Sequence, residues 1–227
     1  MIKKLGRTGK EKIMSTVYEL FNEKVARQII AELEKKQMAG SFAPTISRAK
    51  EEVTGMIPEG STVFRCGSTS CVEMGLWEAI KALPGVTVID PYRPELTPEQ
   101  GLDQRRLGLT ADIMIASTNA ITLNGTLVNL DGMGNRIAAM TFGPRKVILV
   151  VGMNKVTPDL DSAMKRVKHF AAPLNCIRLN IPNPCAQTGL CIDCRTPSRI
   201  CNMWSIIEGQ AVKDRIHVKL VGESLGY

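Results

Sequence analysis

Short apolar runs rich in Val and Ile alternate along this chain with segments of helical spacing, and that alternation limits the fold more than any other feature. Residues 62–66, 86–89, 112–116, 146–151 and 216–221 read as strands. Runs that are apolar at successive positions suit strands covered on both faces, the condition of a parallel sheet. Between them, residues 15–38 place Val17, Leu20, Phe21, Val25, Ile29 and Leu33 on one helical stripe. Residues 46–56, 71–83, 135–142 and 158–170 predict further helices, and a helical patch follows the proline-rich loop 91–99 as far as Leu109. Residues 120–123 and 126–130 flank Asn124-Gly125, a strong hairpin signal. The expectation is one α/β domain over residues 15–227, with a mostly parallel sheet flanked by helices and an antiparallel hairpin added.

Composition narrows the function. A formal net charge of +7 invites nucleic acid, but five of the 29 basic residues (Lys3, Lys4, Arg7, Lys10 and Lys12) crowd the start, and aromatic residues are only 4%. A base-stacking platform therefore has little to be built from, and residues 1–14 read as a solvated basic extension. No apolar stretch approaches the roughly 20 residues of a membrane span, and the basic start lacks the apolar core of a signal peptide. A cytoplasmic protein is expected. There, seven cysteines suit free thiols or metal ligands better than a disulfide framework.

Two polar segments follow predicted strands. In the first, Gly67-Ser68-Thr69-Ser70 offers a tight turn, hydroxyls and backbone N–H groups before a helix, an arrangement that favours phosphate or carboxylate. The blander reading is a strand end at Gly67 and a helix cap at Ser70. Cys71 then falls in the first helical turn, where a dipole can activate a thiol, although an inert buried thiol is the favoured reading. In the second, Asn119, Thr122 and Asn129 offer uncharged hydrogen bonds along the hairpin, and Asn135 and Arg136 open the next helix. Polar groups after a core strand suit the ligand end of an open α/β sheet. Glu73 and Asp112 are the carboxylates nearest these loops and serve equally well as ordinary residues. His169 and His217 read as structural or exposed.

The strongest motif is C-x5-C-x2-C-x6-C, formed by Cys185, Cys191, Cys194 and Cys201. Gly189 and Pro197 keep the segment bent, and four thiolates suit tetrahedral zinc or an iron–sulfur cluster. Arg195 and Arg199 would offset their charge. A redox disulfide at Cys191 and Cys194 is a lesser alternative.

Several segments in order resemble the lactate-utilisation (LUD) domain family. They are Gly67-Ser68-Thr69-Ser70, the run 119–129 around Asn124-Gly125, Gly134-Asn135-Arg136-Ile137-Ala138-Ala139-Met140, Phe142-Gly143-Pro144-Arg145-Lys146-Val147, Val151-Gly152-Met153-Asn154-Lys155, and Val221-Gly222-Glu223-Ser224-Leu225-Gly226-Tyr227. The resemblance implies the fold shared by ribose-5-phosphate isomerase, glucosamine-6-phosphate deaminase and the CoA-transferases, in which a Gly-Ser-Thr-type loop often holds phosphate. It also implies association with lactate oxidation complexes that contain iron–sulfur proteins, and compact members of the family carry a comparable C-terminal cysteine motif. The ferredoxin-like modules of the larger lactate-oxidising subunits are absent, and no flavin or nicotinamide motif is present.

The expected function is that of an oxidoreductase component. It would bind a small anionic metabolite, a carboxylate or phosphate ester, at Gly67, Ser68, Thr69, Ser70, Asn119, Thr122, Asn129, Asn135 and Arg136. A 4Fe-4S cluster would sit on the four clustered cysteines. Iron–sulfur protein partners and a homo-oligomer fit this reading. One alternative is a non-catalytic binding or regulatory protein with structural zinc. Another is an isomerase- or transferase-like enzyme, which needs a carboxylate base near the Gly67 loop.

Overall fold

The computed structural model describes residues 9–227, with side chains described from residue 16 onward. Most of the basic extension expected over residues 1–14 lies outside the described residues.

In chain order the elements begin with α1 (Gly9–Lys35), β1 (Ala39–Ala43), α2 (Ile46–Gly55), β2 (Thr62–Arg65), α3 (Thr69–Glu73), α4 (Leu76–Lys81) and β3 (Thr87–Ile89). Next come α5 (Pro98–Leu107), β4 (Ile113–Ala116), β5 (Ala120–Thr122), β6 (Leu127–Asp131), α6 (Asn135–Thr141), β7 (Lys146–Gly152) and β8 (Val156–Thr157). The chain ends with α7 (Leu160–Arg166), α8 (Ala172–Arg178), α9 (Pro184–Thr188), β9 (Met203–Ile207) and β10 (Ile216–Val221). A π-helical stretch, Val167–Ala171, joins α7 to α8.

Six strands form a wholly parallel sheet in the order β1-β10-β7-β4-β2-β3. Both faces are buried, which explains the uninterrupted apolar runs. Along β4 and β7, Met114, Ala116, Val147, Leu149 and Val151 pack toward Ala26, Ile29 and Leu33 of α1. The alternating residues Ile113, Ile115, Ile148 and Val150 pack toward Ala49 and Val53 of α2 and Trp77 and Ile80 of α4. Ile29 and Leu33 are fully buried, and burial of such side chains is worth roughly 1.5–3 kcal/mol each.

The hairpin is not part of this sheet. β5 and β6 pair with each other and with β8 and β9, giving a second, mixed sheet in the order β8-β5-β6-β9. One face of it joins the α1 side of the core through Ile121, Leu127 and Ile207, while Ala120, Val128 and Leu130 pack on Ala163 and Val167. The helix predicted over residues 71–83 is two helices. Gly75 adopts φ 62° between α3 and α4, a conformation that costs a non-glycine residue energy and ends the first helix. No described helix is long and apolar enough to cross a membrane.

Strand order places the ligand end of the sheet. From β2 the chain moves outward to β3, whereas from β4 it moves to β7 on the other side. A crevice opens at the carboxyl ends of strands where direction reverses in this way, so the loops after β2 and β4 become neighbours.

Close packing behind the sheet gives a test of this description. A Cβ on Gly108 would lie 2.3 Å from the Phe64 ring, although its φ of −57° suits alanine. Gly108→Ala should therefore destabilise through overpacking alone, by about 1–3 kcal/mol, read as a lower midpoint in chemical denaturation. An unchanged midpoint would mean that the ring gives way freely.

Candidate functional site

A cavity of about 880 Å³ occupies the crevice. Its floor is the loop after β2. Ser68, rather than Ser70, caps α3, its Oγ accepting from the Cys71 N–H at 3.3 Å. Ser70, two residues on, is 1% exposed and donates to the Leu225 carbonyl at 3.2 Å. Burial pushes the Cys71 thiol up to about 11, so that cysteine is inert, as its fully buried position requires.

The second wall is a polar corner where the loop after β4, the end of β6 and the start of α6 meet. Arg136 donates through Nε and Nη2 to Asp131 Oδ1 at 2.8 and 2.6 Å, through Nη2 to Asn119 Oδ1 at 2.7 Å, and to the Ser117 and Leu130 carbonyls. The other Asp131 oxygen accepts from the Ile137 N–H at 3.1 Å. Both charged side chains are largely buried, at 14% and 7% exposure. Arg136 lines the cavity, but its charge is already matched.

Of the residues expected to bind ligand, Gly67, Ser68, Thr69, Ser70, Asn119, Asn135 and Arg136 line this one cavity. Thr122 and Asn129 do not. Thr122 bonds to Thr126 and Asn124 within the hairpin. Asn129 is fully buried, where its amide accepts from Thr118 Oγ1 at 3.1 Å and contacts Met140 Sδ. Both hold the second sheet in register, because a polar group inside a core must be hydrogen-bonded. Asp112 lies at the opposite end of β4, bonded to Thr62 at 2.9 and 2.6 Å. Glu73 accepts from the Gly226 N–H at 2.6 Å.

Sequence reasoning missed the central amine. Lys155 follows β7, is 3% exposed, and lines the cavity. Its Nζ donates to Ser70 Oγ at 2.8 Å and Ser117 Oγ at 3.0 Å. Burial, with Arg166 and Arg136 nearby, pushes its pKa down to about 7. Its sequence signals were a position just past the end of a core strand and a place at the end of the Val151-Gly152-Met153-Asn154-Lys155 segment, neither of which marked it as a cavity residue. Also missed were Arg105, stacked 5.2 Å over Tyr92, and Arg178, bonded to the Tyr227 hydroxyl at 2.6 Å. In all, Arg65, Arg105, Arg136, Lys155, Arg178 and Arg199 line the cavity with one described carboxylate, Asp131; Arg65, Arg136 and Arg199 are paired with Asp90, Asp131 and Asp193, which leaves Arg105 and Arg178 without a carboxylate partner in any described ion pair. Such a lining attracts anions.

The cysteine segment abuts the same cavity. Cys185, Cys191, Cys194 and Cys201 line a second, small space of about 20 Å³, together with a fifth thiol, Cys176 of α8. Burial and Cys176 push the Cys185 thiol up to about 11. Asn183, 1% exposed, organises the segment. Its Oδ1 accepts from Thr196 at 2.6 Å and Ser198 at 2.8 Å, and its Nδ2 donates to the Ser198 carbonyl at 3.1 Å. Lys168 and Arg199 both pair with Asp193, at 2.5 and 2.9 Å. They line the space between the thiols, whereas Arg195 lies outside it, beside Cys201. Among the described residues no group of three or more His, Cys, Asp or Glu side chains is already drawn together around a metal position. The donor chemistry of the clustered thiols suits a thiophilic metal. Ala172, Arg199 and Ile200 line both spaces.

Residues 26–221 match the LUD domain family model. No curated protein matches. Among solved structures, a DUF162 family protein from Deinococcus radiodurans superposes with a TM-score of 0.50 at 12% identity, covering 88% of this chain and 97% of that one. Ribose 5-phosphate isomerase from Plasmodium falciparum gives a TM-score of 0.31 at 22% identity, over 48% of this chain and 51% of that one. The eIF2B delta chain from Chaetomium thermophilum gives 0.31 at 23% identity, over 48% and 47%.

The polar corner can be tested by a double-mutant cycle. Removing one member of a buried ion pair strands the other, so Arg136→Ala should cost about 3–5 kcal/mol of stability. In the Asp131→Asn background the same change should cost clearly less. Equal costs in both backgrounds, measured by denaturant unfolding, would show that the pair is uncoupled.

Proposed function

Because the chain belongs to the LUD domain family, we propose that it is a cytoplasmic iron–sulfur protein that binds a small anion and serves the oxidation of lactate or another hydroxy acid. The observation that carries this reading is the shared wall, in which residues of the cysteine segment, Arg199 and Ile200, also face the anion-attracting cavity. A ligand there lies beside the thiols, the proximity that electron transfer needs.

The chain's own residues supply binding and orientation. Arg105 and Arg178 have no carboxylate partner in any described ion pair and draw a carboxylate or phosphate inward. The Gly67 loop adds hydroxyls, and the Arg136 corner forms a rigid back wall. Cys185, Cys191, Cys194 and Cys201 would hold the metal group, with Lys168 and Arg199 offsetting thiolate charge. When bound, an iron–sulfur group supplies one-electron transfer. A cavity of this size exceeds what lactate fills, so bulkier hydroxy acids and phosphate esters belong in the ligand screen. Iron–sulfur partner proteins would receive the electrons. The isomerase-like reading needs a free carboxylate at the Gly67 loop, and the lining carboxylate, Asp131, is engaged by Arg136.

Anaerobic purification with iron, zinc and acid-labile sulfide analysis is the test. The expected result is iron with sulfide and a visible absorption band, both lost when Cys191 and Cys194 are changed to Ser. One zinc per chain without sulfide would overturn the electron-transfer reading in favour of a braced binding domain, and an absence of metal would overturn both.

A further inference from the structure

Lys155 has a coordination that the anion-binding reading does not use. The Ser70 hydroxyl donates to the Leu225 carbonyl and the Ser117 hydroxyl to the Thr118 carbonyl, each at 3.2 Å. With their own protons committed, both hydroxyls accept from Nζ. A neutral amine has two N–H bonds and one lone pair. The two serines occupy the N–H bonds, and the lone pair remains.

Burial is the main influence that favours that neutral state. Lys155 takes part in no ion pair among the described residues, and Arg166 and Arg136 repel a further positive charge, while Glu73 acts more weakly in the other direction. Its ordinary pKa of 10.5 falls to about 7. At neutral pH a substantial fraction of this amine is therefore free base, unlike surface lysines. A desolvated lysine in a cavity is the arrangement that makes an amine nucleophilic toward carbonyl carbon. The same cavity carries the guanidiniums of Arg105 and Arg178 for a carboxylate.

We propose that Lys155 captures the carbonyl carbon of a small 2-oxo acid as an imine, with Ser70 and Ser117 holding the amine by its N–H bonds so that the lone pair is free. This rests on reading the cavity as an anion site, but not on any metal at the cysteines. The Nζ lone pair forms the C–N bond, and the carbonyl π electrons move to oxygen. The two N–H protons pass through solvent in the cavity to that oxygen, which leaves as water when the C=N bond forms. Amine plus ketone gives imine plus water, and no oxidant or reductant is consumed. A 2-oxo acid is also what a hydroxy acid becomes on oxidation, so the two readings share one family of ligands.

Reductive trapping tests the proposal on the unaltered chain. The protein is incubated with pyruvate and cyanoborohydride, then digested and mapped by mass spectrometry, with inorganic phosphate binding measured in parallel by calorimetry. The expected result is a reduced pyruvyl adduct on Lys155, absent without reductant and lost in Lys155→Arg. Adducts confined to exposed lysines, with Lys155 unmodified, would overturn the imine. If phosphate binds in that case, the anion site stands and only the imine falls, whereas absence of both binding and trapping overturns both. Because the wild-type map decides, poor folding of the variant would not rescue the proposal.

Discussion

The Arg136 guanidinium and the Asp131 carboxylate meet where water is largely excluded, and three separate segments converge on them. Asn119 comes from the loop after β4, Asp131 ends β6, and Arg136 opens α6. Desolvating two charges is costly unless the remaining donors and acceptors are also matched. Here they are. Asp131 takes the Ile137 N–H, Asn119 Oδ1 also accepts the Leu130 N–H at 3.0 Å, and Arg136 reaches two further backbone carbonyls. The second sheet is thereby fixed against the ligand end of the first.

That anchoring shapes the electrostatics of the cavity. A neutralised pair forms its back wall, so the attractive field comes from cations without carboxylate partners, Arg105 and Arg178, and from Lys155 when it is charged. The Asp131 carbonyl also accepts the Asn202 N–H at 2.9 Å, and the Asn202 side chain donates to the Gly132 carbonyl at 3.0 Å. The end of the cysteine segment is in this way tied to the corner that positions the ligand wall. The π-helical turn Val167–Ala171 completes the enclosure, since Val167 and Ala171 line the cavity, in keeping with the frequency of such turns at functional sites.

Much of the main sheet is legible in the sequence, because strands buried on both faces have no alternative but continuous apolar runs. β10 matches the segment predicted over residues 216–221. β1, Ala-Gly-Ser-Phe-Ala, escapes that rule. It is an edge strand with little β-branched content, held by its pairing with β10. β9 follows the cysteines directly and exists through pairing with β6, a long-range contact that local pattern cannot show. The Gly67 and Arg136 loops were legible as polar residues after core strands. Thr122 and Asn129 follow the same pattern, yet their side chains enter the core, and only the pairing decides which face a strand residue occupies. Lys155, Arg105 and Arg178 look like ordinary surface cations until the fold directs them to one cavity, and Cys176 lies on a different helix from the four-cysteine motif.

The Gly67 loop and the cysteine segment line one anion site. Amide hydrogen exchange with and without inorganic phosphate is the decisive measurement. Exchange should slow in residues 66–72 and, at the same phosphate concentration, in residues 197–202, where the Arg199 N–H bonds to Thr196 and the Asn202 N–H to Asp131. Protection confined to the first segment, or absent from both, would contradict a shared site.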